Sequence, residues 1–247
     1  MESEPQISVV IPVLDGDDCW NTLIADLASF PKSSEFLFVS NGEQPVGFSE
    51  LVLQCQLEGR SFWQRTSMGR AVQMNCGAAQ ASGTHLLFLH ADSRLNGHGV
   101  QQLVKSLTGK PDALHYFNLK FADQSFSLMQ LNTWGVYFRS HVFGIPFGDQ
   151  GLCLSRTLFF ELGGFDETAP YGEDHLLVWK ARRNGIRLQC AGADIETSAR
   201  KYQQQGWCRM TVKHLWLTLC QAVPQFFLLL KERFISWIQG KAPSSSS

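Results

Sequence analysis

The order of apolar and polar positions predicts an alternation of buried strands and helices. Apolar runs at 7–14 ("ISVVIPVL"), 35–40 ("EFLFVS") and 85–90 ("HLLFLH") are typical of strands covered on both faces, and a less regular run at 51–57 predicts another. Segments with helical spacing lie between them, and the small residues of 69–83 predict a helix lying close to a sheet. This alternation indicates an α/β fold with a right-handed, mostly parallel central sheet flanked by helices.

The second half of the chain is less regular. It predicts a strand, an aromatic-rich helix, a loop and two further helices, in this order: 114–121, 126–138, 143–151, 157–162 and 173–184. Because no internal repeat or linker is visible, we expect one domain over 5–200. A helical C-terminal extension over 201–240 is expected to pack on this domain, and the serine-rich end, 241–247, is expected to be disordered.

One late segment, "LWLTLCQAVPQFFLLL" (215–230), is the most membrane-like part of the chain. It contains Gln221, Pro224 and Gln225, and it is short for a bilayer span of about 20 residues. We therefore expect two helices, one of them ending near Pro224, that pack on the domain. Basic residues on both sides leave open a helix that lies on a bilayer surface.

Composition excludes several classes of protein. Hydrophobic residues make up 44% of the chain and charged residues 17%, which indicates a globular protein. A formal net charge of −1 gives no general reason to bind nucleic acid. The seven cysteines are scattered and form no C-x-x-C pair, so a reducing compartment is favoured. The polar N-terminus does not look like a signal peptide, and we expect a cytoplasmic protein.

Polar residues follow three of the predicted strands: Asp15, the pair Ser40 and Asn41, and the pair His90 and Asp92. Ligands of open α/β sheets bind at the carboxyl ends of the strands, so these side chains are expected to line one crevice. Turns and helix caps are the alternative, because Asp and Asn favour both. The sequence lacks G-x-G-x-x-G, the P-loop motif and G-x-S-x-G, which disfavours nicotinamide enzymes, P-loop NTPases and esterases.

A set of motifs carries a resemblance to a known family. "SVVIPVLDG", "GRAVQMNCGAAQASGTHLLFLHADSRL", "FGDQGLCLSR", "LGGFDETAPYGEDHLLVWKARRNG" and "TSARKYQQQGW" occur in this order. Together they resemble glycosyltransferase family 2, which has the GT-A fold, and most closely its bacterial arsenosugar-biosynthesis branch. The resemblance extends over about residues 7 to 235, and its motifs are distinctive as a set rather than singly.

The resemblance implies a nucleotide-sugar donor, with a UDP-sugar favoured, and a divalent cation. Asp92 matches the carboxylate that holds Mg²⁺ or Mn²⁺ in this family, and hard oxygen ligands suit these ions. Asp15, Ser40 and Asn41 match the positions that contact the nucleoside, although the family more often has acids at the second strand. His90 stands where many relatives carry another acid.

Three further residues are implied in donor binding. Arg70 is a candidate for charge-assisted bonds to phosphate, and a surface cation is the alternative. Asn75 either contacts the nucleoside or caps a loop. Arg200, next to Lys201, resembles the late basic group that steadies the departing diphosphate, and a solvated pair is the alternative.

The resemblance also implies the residues on the acceptor side. Asp174 is the candidate base for the acceptor hydroxyl, with Glu173 as its partner or alternate, and the two adjacent acids are expected to raise each other's pKa. An ordinary first turn of a helix, where acids are favoured, is the alternative. Asp149 and Gln150 are expected near the acceptor or the donor sugar, unless they form only a turn.

These observations predict a metal-dependent, inverting glycosyltransferase that acts on a small or lipid-linked acceptor. A nucleotide-sugar-binding module without catalysis is the first alternative, because the acidic motifs are reduced. A nucleotidyltransferase is a weaker one, because the Gly- and Arg-rich loop usual after the first strand of such enzymes is absent here.

Overall fold

A seven-stranded sheet forms the centre of the protein, whose computed structural model describes residues 5–121, 127–197 and 207–238. The strands are β1 Ile7–Val13, β2 Glu35–Ser40, β3 Ser61–Arg65, β4 His85–Phe88, β5 Leu114–Phe121, β6 Leu152–Ser155 and β7 Leu188–Thr197. Their spatial order is β3-β2-β1-β4-β6-β5-β7. β6 runs antiparallel to both of its neighbours, and the other pairings are parallel. The predicted mostly parallel α/β sheet is therefore confirmed.

Helices cover both faces of this sheet. They are α1 Trp20–Leu27, α2 Phe48–Gln54, α3 Arg70–Gln80, α4 Gly97–Gly109, α5 Ser127–His141, α6 Arg156–Glu161, α7 Glu173–Arg183 and α8 Trp207–Ile238. Val9 and Ile11 of β1 pack with α1, α2 and α4, whereas Val10 between them packs on the opposite side with α3, α6 and α7. Burial of successive residues on opposite faces explains why this strand is a continuous apolar run.

Helix α3 lies very close to the sheet, as its small residues predict. A Cβ atom added at Gly77 would lie 2.5 Å from Val10 Cγ1 and 3.0 Å from Val39 Cγ2. Such distances are too short for a real side chain, so glycine is needed at this crossing. Near the start of α3, Gln73 Nε2 donates to the carbonyls of Val13 and Val39 at 2.8 and 3.0 Å, which fixes this part of the helix next to the ends of β1 and β2.

The strand predicted at 51–57 is wrong. Residues 51–54 form the end of helix α2, in which Phe48 and Val52 are buried one turn apart on the same face, and 55–57 lie after the helix. The neighbouring strand is instead β3, which lies at the edge of the sheet and is only partly buried, so it has no continuous apolar run.

The C-terminal segment forms one helix, α8, and not the two expected. It continues through Pro224, although a proline removes one backbone hydrogen bond from the helix interior. Its two glutamines attach it to α7: Gln221 Oε1 is 2.8 Å from His175 Nδ1, and Gln225 Oε1 accepts from Arg183 Nη1 at 3.0 Å. Across the residues that the structure describes, no helix is long and apolar enough to cross a membrane. The expected disordered tail, 241–247, lies outside the described residues.

The point where the strand order reverses is the junction of β1 and β4. The chain proceeds from β1 to β2 and β3 on one side, and then returns to place β4 on the other side of β1. In doubly wound sheets, the carboxyl ends of strands at such a junction form a crevice that ligands occupy. Asp15 follows β1 here, and His90 and Asp92 follow β4.

Candidate functional site

The carboxyl edge of the sheet holds two cavities where the sequence predicts one crevice. The first has a volume of about 560 Å³ and lies beyond β1, β2 and β3, with Asp15, Ser40 and Trp63 in its lining. The second has a volume of about 320 Å³ and lies beyond β4. Its polar lining includes Arg70, His90, Asp92, Arg139, Asp149, Asp174, His175 and Gln221. Because β2, β1 and β4 are adjacent, the two cavities are neighbours along this edge.

In the first cavity, the turns after β1 and β2 support each other. Asn41 Oδ1 accepts from the Asp15 backbone N–H at 3.2 Å, and Ser40 Oγ accepts from the Gly42 N–H at 3.1 Å. A Cβ atom at Gly42 would lie 2.0 Å from Asp15 Oδ1, so a side chain at this position would displace the carboxylate. Ser40 and Asn41 thus shape the turns, and Asp15 is one of the exposed acids that line this cavity.

In the second cavity, Arg70 joins three elements. It opens α3, donates from Nη2 to His90 Nε2 after β4, and places Nε 3.3 Å from Glu173 Oε1 at the start of α7. Because a guanidinium only donates, His90 Nε2 accepts and its ring proton is on Nδ1. Glu173 is thereby a partner of Arg70, and this arginine is not the solvated surface cation that the sequence left as an alternative.

Asp174 is a buried acid whose charged form is stabilised. Burial by itself raises the pKa of its carboxyl group, but Arg70 and the backbone N–H groups of Gly148 and His175 outweigh this, so the pKa is lowered. Gly148 N–H donates to Asp174 Oδ2. The expectation that adjacent acids raise each other's pKa is therefore wrong for Asp174, because the positive charge of Arg70 and the two backbone N–H groups lower the pKa instead.

Asp149 has the opposite environment. Burial raises the pKa of its carboxyl group, Arg139 opposes this rise, and the negative charges of Asp174 and Asp92 add to it. Its Oδ1 atom is buried and forms no hydrogen bond. Burying a carboxylate oxygen without a hydrogen bond costs free energy. This atom is therefore a candidate for a contact with a ligand.

A chain of hydrogen bonds fixes the wall formed by α7 and α8. Trp179 Nε1 donates to His175 Nε2 at 2.8 Å, so His175 carries its proton on Nδ1 and donates it to Gln221 Oε1. Gln221 Nε2 then donates to the Tyr171 carbonyl at 2.6 Å. Burial lowers the pKa of His175, which keeps the ring neutral in this chain.

Two predicted site residues turn away from the cavities. Gln150 is buried, and its amide is used inside the protein: Oε1 accepts from Ser140 Oγ at 2.9 Å, and Nε2 donates to the Phe117 carbonyl at 3.0 Å. Asn75 accepts from Phe165 N–H at 3.0 Å and donates to its carbonyl at 2.9 Å, so it caps a loop. These contacts favour the alternatives that the sequence left open, a turn for Gln150 and a loop cap for Asn75. The predicted donor contact Arg200 lies outside the described residues.

Asp92 lies in a turn that is held on both sides. The Ser93 N–H donates to the His90 carbonyl at 3.1 Å. Arg94 then forms an isolated antiparallel bridge with Glu196 of β7, and its guanidinium binds both carboxylate oxygens of Asp26, at 2.7 and 3.0 Å. Arg94 occupies the position of the second acid of a D-x-D motif, and it serves here as an anchor.

The carboxylates of the second cavity fit a hard divalent cation. Asp92 and Asp149 both line it, and the unpartnered Asp149 oxygen shows that its donor atoms are not used up by the protein. Within 5–121, 127–197 and 207–238, the only cluster of three potential ligand side chains is Asp17, Asp18 and Cys19, near the first cavity. A cation at Asp92 would therefore need phosphate or water oxygens to complete its coordination.

Sequence reasoning missed Arg139, His175 and Gln221. Arg139 sits in an aromatic-rich helix, and its guanidinium lies 3.4 Å from the Phe147 ring centroid. Gln221 is the one with a visible signal, because it is one of the few polar residues within a mostly apolar segment, 215–230. A half-buried amide in such a segment needs a partner, and here that partner is His175.

Solved structures of glycosyltransferases share this fold. The mannosyltransferase PcManGT from Pyrobaculum calidifontis, in complex with GDP-Man and Mn²⁺, has a TM-score of 0.66 and 16% identity, covering 94% of this chain and 70% of that chain. S. aureus TarS 1–349, in complex with UDP-GlcNAc, has a TM-score of 0.60 and 18% identity, covering 78% and 58%. GalNAc-T7 with UDP, GalNAc and Mn²⁺ has a TM-score of 0.60 and 15% identity, covering 80% and 44%.

The protein thus has the GT-A-type fold of nucleotide-sugar glycosyltransferases, which confirms the predicted fold class. No protein-family model matches the sequence, and no curated protein matches it either. The chain spans 37% of the full TarS chain and 60% of its 1–349 form. At these identities the likeness concerns the fold, so the activity must be argued from the site.

Proposed function

We propose that the protein is an inverting glycosyltransferase that moves a sugar from a nucleotide-sugar donor to a small or lipid-linked acceptor. The observation that supports this most is the second cavity, where Arg70, Asp92, Asp149 and Asp174 meet beyond β4 in a GT-A-type sheet. A cationic side chain and several carboxylates in one crevice suit a reaction with a diphosphate leaving group and a hydroxyl nucleophile.

The donor is assigned to both cavities. Its nucleoside, with uridine favoured, fits the first cavity, where Asp15 can accept hydrogen bonds from a base or ribose. Its diphosphate and sugar extend toward Asp92 and Arg70 in the second cavity. Asp92, with Asp149 nearby, would hold Mg²⁺ or Mn²⁺, and such a cation offsets negative charge on a departing diphosphate. Arg200 stays a proposed contact to the same group.

Asp174 is assigned as the base. The acceptor oxygen forms a bond to the anomeric carbon while the bond from that carbon to the phosphate oxygen breaks, and the acceptor proton passes to Asp174. The lowered pKa of Asp174 keeps it ionised and able to accept this proton at neutral pH. Attack from the face opposite the leaving group inverts the anomeric configuration. Glu173 holds Arg70, and Asp149 is assigned beside the acceptor.

The motifs of the chain support a finer placement. We propose membership of glycosyltransferase family 2, near its arsenosugar-biosynthesis branch, on the ordered motif set that includes "FLHADS" and "YGEDHLL". We also propose that 5–200 form the catalytic domain and that the protein is cytoplasmic. Contact of the C-terminal extension, 201–240, with the inner face of the cell membrane belongs to the same proposal.

Donor hydrolysis and transfer, measured across UDP- and GDP-sugars with Mg²⁺ or Mn²⁺, test this function. Asp92→Ala and Asp174→Asn are expected to lower turnover by about a hundredfold or more, since each removes a group used in the transition state. Turnover that survives both changes would refute the assigned roles. Calorimetric donor binding without turnover in the unaltered chain would identify a binding module instead, and pyrophosphate release from a nucleoside triphosphate would identify a nucleotidyltransferase.

A further inference from the structure

A long apolar groove runs between α5 and α8. Its volume is about 1020 Å³, and Trp179 of α7 forms part of it. The side chains that line it include Phe138 of α5, Phe143 just after this helix, and Leu215, Leu219 and Phe227 of α8. The residues of α8 that line the groove extend from 211 to 227, which corresponds to a length of about 24 Å at 1.5 Å per residue.

The lining of this groove is unusually exposed for apolar side chains. Leu215 is 62% exposed and Phe227 is 65% exposed. Monomeric proteins rarely leave contiguous apolar patches of this kind uncovered, and such patches mark sites where an apolar partner binds. An occupant of the groove would therefore gain the burial of many carbon atoms at once.

The groove is continuous with the second cavity. Val136, Arg139 and Thr218 line both, so the groove opens into the cavity of Asp149 and Asp174 near the middle of its α8 wall. A single molecule can thus place a polar head among the carboxylates and an apolar chain along α8. The groove therefore differs from an ordinary surface patch, because it lies at a fixed position relative to the proposed reaction site.

The charged residues that line the groove favour a ligand with an anionic group. Among the described residues that line the groove, the charged ones are Arg139 and Arg182. Arg139 lies at the junction with the second cavity, and Arg182 stacks on Trp179 with its guanidinium carbon 4.4 Å from the ring centroid. Two guanidinium groups beside an apolar groove suit a phosphate that links a polar head to an aliphatic chain.

We propose that this groove binds the aliphatic chain of the acceptor, which is therefore an amphiphile with a phosphate next to a single long chain. The proposal rests on the proposed function for the identity of the reaction, but chain binding itself needs no turnover. The concave shape and the opening into the second cavity favour one inserted chain over the flat surface of a bilayer or a second copy of this protein.

Calorimetry with dodecyl phosphate and butyl phosphate, both below their micellar concentrations, tests chain binding on the full chain. Dodecyl phosphate is expected to bind much more tightly than butyl phosphate, with a negative heat-capacity change. Leu215→Gln and Phe227→Gln are each expected to weaken the binding of dodecyl phosphate by about fivefold, because each replaces an apolar side chain of the lining by an amide. Val212→Gln is the matched control: Val212 is on α8, is 66% exposed and does not line the groove, so binding should change less than about twofold.

Several outcomes would overturn the proposal. Equal binding of both phosphates, or equal loss in Val212→Gln and Leu215→Gln, would show that the groove does not select a chain. Binding only to phospholipid vesicles would identify a membrane face, and a dimer that Leu215→Gln dissociates would identify a second copy as the occupant. Donor hydrolysis measured alongside keeps the two proposals apart: active protein without dodecyl phosphate binding refutes the groove alone, and binding without turnover refutes the function alone.

Discussion

Asp149 and Asp174 line the same cavity, yet their carboxyl pKa values move in opposite directions from the ordinary value. Asp174 faces Arg70 and receives backbone N–H groups, so its charged form is favoured despite burial. Asp149 is buried with one oxygen unpartnered, and this burial raises the pKa of its carboxyl group. Two acids whose pKa values differ can take different roles in proton transfer, because the one with the lower pKa is ionised over a wider range of pH. The pair therefore predicts different pH responses.

Replacing Asp149 by Asn is expected to stabilise the protein at neutral pH. The pKa of Asp149 is raised in the folded state, so its ionised form weakens folding, and this penalty develops as pH rises above the ordinary value of 3.8 toward the raised one. We expect Asp149→Asn to raise the free energy of unfolding by about 1 kcal/mol at pH 7, and this gain to disappear on acidification to about pH 4. Urea denaturation at several pH values measures it. A variant that is less stable at pH 7 would contradict the assignment.

Replacing Asp174 by Asn should have the opposite effect. The lowered pKa of Asp174 contributes stability above its ordinary value of 3.8, and this contribution is lost as pH falls below that value. Asp174→Asn is expected to lower the free energy of unfolding by about 1 to 2 kcal/mol, equally at pH 5 and pH 7. Parallel denaturation curves of both variants suffice. Equal pH dependence in the two would show that their environments do not differ.

Gly148 is expected to tolerate no side chain. A Cβ atom there would lie 2.6 Å from Arg70 Nη2 and 2.7 Å from Asp174 Oδ2, so Gly148→Ala must push apart the arginine and the acid. We expect kcat/KM to fall by about a hundredfold, as small displacements in a site often cause. Gly109→Ala, at the end of α4, is the control because its Cβ would meet nothing within 4 Å. Steady-state kinetics of both variants decide the matter, and similar kinetics would argue against this geometry.

Gln221 is expected to hold α8 against the body of the protein. Gln221→Ala removes the acceptor of the His175 Nδ1–H and the donor to the Tyr171 carbonyl, and it leaves a buried donor unsatisfied. A loss of about 1 to 3 kcal/mol is expected from such a group. Hydrogen exchange should then increase along α8 and around His175. If exchange in α8 stays unchanged, other contacts hold the helix.

The inner strands were predictable because their burial leaves a direct trace in the sequence. β1 and β2 are covered on both faces, and both appear as continuous apolar runs close to their observed bounds. The edge strand β3 has no such run, and the apolar residues of α2 were interpreted as a strand because short apolar segments suit either structure. The length of α8 was missed for a related reason, since a proline usually ends a helix.

The site was predictable at the level of residues but not of their environments. The positions of Asp15 and Asp92 at strand ends, and of Asp174 at the start of α7, follow from motifs and topology, and each residue lines one of the two cavities. The pKa of Asp174 depends on Arg70, which is about a hundred residues earlier in the chain and meets it only after folding. Asn75 was ambiguous for the same reason, because its partner is the distant Phe165.

The bridge between Arg94 and Glu196 has a consequence for how tightly a ligand can bind at Asp92. With Arg94 also clamped to Asp26, the turn that carries Asp92 has little conformational freedom left to lose. Fixing the backbone of a single residue costs about 1 to 2 kcal/mol of conformational entropy. In this turn that entropy is lost when the protein folds, and not when a ligand binds. Asp92 is therefore preorganised, so that a ligand's contacts to it contribute to affinity almost undiminished.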